Sequence, residues 1–64
     1  MISRITVVTP TETRAFEPSK EGHSLEYIIN SGLLSIEELN VDGNIVLQHV
    51  FKEWHTLAVI HNEP

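Results

Sequence analysis

The residues in this chain able to do chemistry are few, and the histidines come first. His49, His55 and His61 recur every six residues, with His23 standing apart. Imidazole is a common zinc ligand, but a zinc site takes three or four ligands of compatible geometry. No cysteine is present and no two histidines are four residues apart. In a hairpin of 45–51 with 56–61, one of the two nearest registers sets His49 and His61 diagonally on one face, which supplies only two ligands. The plainer account makes them strand or turn histidines with one wet edge. No metal and no cofactor is expected.

Nucleophilic catalysis finds no footing either. Ser3, Ser19, Ser24, Ser31 and Ser35 lie in no Gly-x-Ser-x-Gly elbow. Ser24 follows His23 directly, yet it is better placed as a helix N-cap. Glu37 and Glu38 are adjacent carboxylates, and adjacent helical residues do not face each other. Asp42-Gly43-Asn44 lacks the alternating oxygens and terminal glutamate of a calcium loop and reads as a turn. The glycines form no phosphate cradle. No catalytic residue is assigned, and the chain is read as a non-enzyme.

Composition narrows the function further. The sequence has 64 residues, one small domain spanning 1–64. A chain this short buries only about 60% of the surface it exposes when unfolded, so such domains usually carry a staple. Without cysteine the staple is neither a disulfide nor a thiolate-held zinc. A second copy or another partner remains. Nine acidic residues against four basic ones give a formal charge of −5. Arg4, Arg14, Lys20 and Lys52 do not cluster, so direct nucleic-acid binding is not expected. An acidic surface does suit docking onto a basic protein. The opening residues do not form a secretory signal, and no run approaches the ~20 apolar residues of a membrane span. A cytoplasmic location is expected.

The elements that would position these groups read as α+β. Ile2–Val8 is β-branched and alternating, a strand that Pro10 ends. Thr11–Ser19 holds either a second short strand through Thr13, Ala15 and Phe16 or a loop. Leu25, Ile28 and Ile29 at i, i+3 and i+4, capped by Ser24 and followed by Gly32, predict a helix over 24–31. Ser35 with Glu38 matches a capping box and Leu34 with Leu39 a hydrophobic staple, which predicts a second short helix over 36–41. A competing reading takes Leu39–Val41 as a strand entering a hairpin at Asp42-Gly43. Segment 45–51 is apolar on both faces if extended, and Leu47, Val50, Phe51 and Trp54 form a stripe if helical. Its β-branched content favours a strand, paired as a hairpin with 56–61. The expected fold is a small antiparallel sheet (2–8, 45–51, 56–61) packed against one or two short helices.

A strand apolar on both faces needs cover on both. The helix from Ser24 would cover one, leaving the other for a protein partner, a second copy or a different chain. Phe51, Trp54 and Leu57 are the candidate contact residues, with Glu37, Glu38 and Asp42 beside them. The leading expectation is therefore a non-catalytic, acidic, regulatory protein-binding module, acting through an apolar sheet face or as a homodimer. In size and charge alone the chain is similar to small acidic phage inhibitors such as uracil-DNA glycosylase inhibitors and anti-restriction or anti-CRISPR proteins. That resemblance implies a nucleic-acid mimic with carboxylates aligned on one face, the candidates being Glu17, Glu21, Glu26, Glu37, Glu38 and Asp42. A reduced β-grasp arrangement would also suit a strand, a helix and a late hairpin. Ubiquitin-type carriers end in Gly-Gly, whereas this sequence ends His61-Asn62-Glu63-Pro64, which disfavours a carrier role.

Overall fold

The computed structural model describes residues 2–61. Six strands make up the fold: β1 (Ile2–Val8), β2 (Thr13–Phe16), β3 (Ser24–Asn30), β4 (Leu33–Leu39), β5 (Ile45–Phe51) and β6 (Thr56–His61). All pairings are antiparallel. One edge of β1 pairs with β6, from Ile2 opposite His61 to Val8 opposite Thr56. Its other edge is shared: β2 takes Ile5–Val8, and β3 meets it where Leu25 lies opposite Ile2. The hairpins β3–β4 and β4–β5 complete the sheet.

This order places β5 and β6 at opposite edges although only residues 52–55 separate them. Four strand spacings of about 4.8 Å make a flat sheet about 19 Å wide between those edges. Five Cα–Cα steps reach at most about 18 Å even when fully extended. The ends of the link are also offset along the strands, since Phe51 is level with Ile29 on one side of the Ile2–Leu25 pair and Thr56 with Val8 on the other. The sheet must therefore curl, and it forms an open half-barrel. Its concave face holds the core of Ile5, Val7, Leu25, Leu34 and Ile36, with Ile2, Phe16, Phe51, Trp54, Leu57 and Val59 packed against it. The short link is tied down at two points. His55 N–H donates to the Val8 carbonyl at 2.7 Å. Trp54 Nε1–H donates to the Gly32 carbonyl at 3.1 Å, closing one end of the half-barrel.

The α+β expectation is overturned, because no helix occurs among the described residues. Residues 24–31 are not a helix; Ser24–Asn30 is β3, registered against β4 from Ser24 opposite Leu39 to Asn30 opposite Leu33. A helix of two turns cannot hold itself, and the run Tyr27-Ile28-Ile29 packs well on a pleated surface. The glycine signal was of the right hand but belonged to another element. Ser31 (φ 53°) and Gly32 (φ 81°) both adopt left-handed backbone. They form the two-residue loop of a tight hairpin, where paired positive φ values match strand twist.

The helix over 36–41 is likewise replaced, by β4 and the turn that follows it. Ser35 and Glu38 do not cap anything: strand alternation turns them to opposite faces, and it separates Leu34 from Leu39 in the same way. The turn into β5 is built on Asn40, whose Oδ1 accepts the N–H groups of Asp42 and Asn44, each at 3.0 Å. Asparagine at this place supplies a local acceptor that a helix would leave unused. Segments 45–51 and 56–61 are strands as expected, yet they do not pair with each other; β5 pairs with β4 and β6 with β1. The β-grasp arrangement falls with the missing helix, and the chain ending after His61 lies outside the described residues.

Trp54 both fills the core end and holds the connecting link. Trp54→Ala is expected to destabilise the fold by about 3 kcal/mol, the low end for truncating a large aromatic. Trp54→Phe should cost about 1 kcal/mol, mainly the hydrogen bond to Gly32. Urea denaturation followed by far-ultraviolet circular dichroism measures both, and the wild-type spectrum should be that of a β protein.

Candidate functional site

Two features of β4 and β5 could act on other molecules: an uncovered apolar surface and a buried carboxylate. The first arises from the position of β5. Among the described residues it pairs only with β4, so its outer edge presents free backbone groups. Cross-strand partners share a face, which sorts its side chains. Leu47, His49 and Phe51 lie on the concave face with Glu38, Ile36 and Leu34 opposite them. Val50 lies on the outer face, in a row with Ser35 and Ile28. A register shift between Glu38 and Leu39 loosens the end of β5 nearest the turn. Ile45 is 55% exposed and Val50 59%, and Ile28, Val46 and Leu47 are exposed to a similar extent. Ile45–Phe51 contains no Asp, Glu, Lys or Arg.

The second feature joins the β2–β3 loop to the sheet. Glu38 is only 5% exposed. Its Oε2 accepts the backbone N–H of Ser19 at 3.1 Å and the Ser19 hydroxyl at 2.7 Å. His23 Nδ1 lies 2.6 Å from the same oxygen. The carboxylate has no proton to give, so Nδ1 donates. Hydrogen bonds from Ser19 and then from His23 hold the Glu38 carboxyl below the usual glutamate range, against the opposing effect of burial. Glu37, one residue earlier and 6% exposed, faces outward and accepts from Gln48 Nε2 at 3.0 Å. The same amide group donates to the Ser35 hydroxyl.

The residues singled out in the sequence are dispersed. Phe51, Trp54 and Leu57 are half-buried against the core. Glu37 and Glu38 are buried on opposite faces of one strand, while Asp42 is exposed in the β4–β5 turn. Glu17, Glu21 and Glu26 are exposed. His49 packs its ring on Phe16 at 4.8 Å between centroids, and Phe16 meets Phe51 edge-on. His49 and His61 stand on strands that do not pair. Among the described residues no three histidine or carboxylate side chains are grouped to hold a metal ion. No helix of the structure is long and apolar enough to cross a membrane.

Sequence reasoning missed Ser19 and His23, whose partner lies 19 and 15 residues away. The one available signal was Ser19 just after Pro18 and His23 just after Gly22, both in one short connection. Ile28 was assigned to a helix stripe, and its outward position follows only from the strand. Comparison with protein-family models, with curated proteins and with solved structures found no match.

The Glu38 cluster has a definite pH signature. A carboxyl whose folded pKa is depressed contributes stability that is complete above the ordinary glutamate range and is lost as pH falls through the folded value. Acid unfolding should therefore steepen below that range. Ser19→Ala, which removes one donor, should move the transition to higher pH, and Glu38→Gln should remove this part of the acid dependence. Urea midpoints measured across the acidic range check both shifts.

Proposed function

We propose that this chain is a non-catalytic, cytoplasmic protein-binding module that works through the free edge and outer apolar side chains of β5. The observation that supports this reading is one uncharged strand, Ile45–Phe51, carrying Ile45, Val46, Leu47 and Val50 about half exposed. Exposed edge strands are normally protected by charge, proline or a covering element. Here none of these lies within the strand.

The occupant best suited to this edge is a second copy. A two-fold axis near Gln48 would pair β5 with itself antiparallel, setting Val46 opposite Val50 and Leu47 opposite His49. An isologous contact of this kind meets no like charge along the strand, although the whole chain carries −5. The nucleic-acid-mimic alternative has less support, because Glu37 and Glu38 are buried and point to opposite faces.

Sedimentation velocity at micromolar concentration is expected to show a reversible dimer. Val50→Glu, on an exposed outer-face position, should leave the circular dichroism unchanged and give a monomer. A wild-type protein that stays monomeric throughout the micromolar range would contradict the reading.

A further inference from the structure

The concave side of the sheet contains a cavity of about 120 Å³ between the β2–β3 loop and the β4–β5 hairpin. Leu25, Ile36, Leu47 and Phe16 supply its apolar walls, and Glu17, Ser19, Glu38 and His49 its polar groups. A water molecule takes about 30 Å³ in the liquid, so the space suits a head group of a few heavy atoms rather than a drug-sized ligand.

The distribution of bonds on Glu38 indicates the chemistry. All three donors reach Oε2, and among the described residues none reaches Oε1. Every fully buried side-chain polar atom described has a partner. Oε1 is thus the carboxylate oxygen without a donor among the described residues, and Glu38 lines the cavity. This oxygen belongs to a carboxylate held ionised by Ser19 and His23. An acceptor of this kind, beside an aromatic ring and a second carboxylate, favours a cation with donor protons. Apolar walls favour methylene groups behind that cation. Arg14 lies over the Phe16 ring but does not line the cavity, and it pairs with Glu12 at 3.5 Å. Among the described residues Glu17 has one long, exposed ion-pair contact, with Arg4 at 3.9 Å.

We infer that this cavity binds a primary alkylammonium group, with the ammonium on Glu38 Oε1 and its methylenes against Leu25, Ile36 and Leu47. Such a group comes either as a free alkylamine or as the tip of a lysine side chain. The site opens on the face opposite Val50 and shares Leu47 and His49 with the β5 edge.

The test is an NMR titration of Val50→Glu, whose substitution lies on the face away from the cavity, so that self-association does not enter. n-Butylammonium should shift the amide signals of Leu25, Leu47 and His49, whereas n-butanol, its neutral counterpart, should not at equal concentration. Nα-acetyl-lysine methylamide distinguishes the sources: a matching response points to a lysine side chain, and a response to the free amine alone points to a small amine. Glu38→Gln should weaken binding about tenfold, the loss expected for one charge-assisted hydrogen bond. Leu47→Trp, at a half-exposed wall position, should abolish it by filling the space, and an unchanged acid-unfolding profile shows that the Glu38 cluster is kept. Equal shifts with butanol, no shift with butylammonium, or binding that survives Leu47→Trp would each overturn the assignment.

Discussion

Residues 52–55 have to carry the chain from β5 at one edge of the sheet to β6 at the other. A flat sheet of this order would be wider than that link can reach, so curvature follows from chain length before any side chain is considered. Curvature then makes a core possible in a protein with one layer. The concave faces of β1, β3 and β4 come close enough for Ile5, Val7, Leu25, Leu34 and Ile36 to bury one another. Trp54 and the His55–Val8 hydrogen bond hold the link in the position that this closure requires.

The same geometry leaves a deficit elsewhere. Most domains bury a sheet face against a second layer. Here the outer face has no second layer among the described residues, and β5 is furthest from help. Its neighbour β4 buries Leu34 and Ile36 and, beside them, Glu37 and Glu38. Those two carboxylates are tolerated because each is supplied with donors, Gln48 on the outer face and the Ser19–His23 loop on the inner. Glu38 thus joins a loop to the sheet and lines a small cavity on the concave side. Both features descend from one arrangement: a curled single sheet, well filled at its middle and open at β5.

Three strands and the apolar surplus of Ile45–Phe51 were legible in the sequence, because β-branched runs and period-two alternation are local signals. The helices were misread for an equally local reason. Leu25, Ile28 and Ile29 satisfy a helix spacing, but in β3 the same residues divide between the two faces. Serine, glutamate and glycine serve helix caps and hairpin turns alike, and the choice between them is made by long-range pairing. Gly32 shows this well, since left-handed backbone is needed in either element. The pairing of β5 with β4 rather than β6 was illegible for the same reason: adjacency in sequence favours a hairpin, and only the sheet as a whole decides otherwise. The Glu38 cluster joins residues from a loop and a strand, a contact for which the sequence holds no periodic signature.

Hydrogen exchange along Ile45–Phe51, measured as a function of protein concentration, tests most directly whether β5 is an open edge awaiting a second copy. The amides bonded to β4 should be protected at every concentration, whereas the alternate, outward-facing amides should exchange freely in dilute protein and gain protection as concentration rises. Outward amides already protected in a dilute monomer, or never protected at any concentration, would contradict the account.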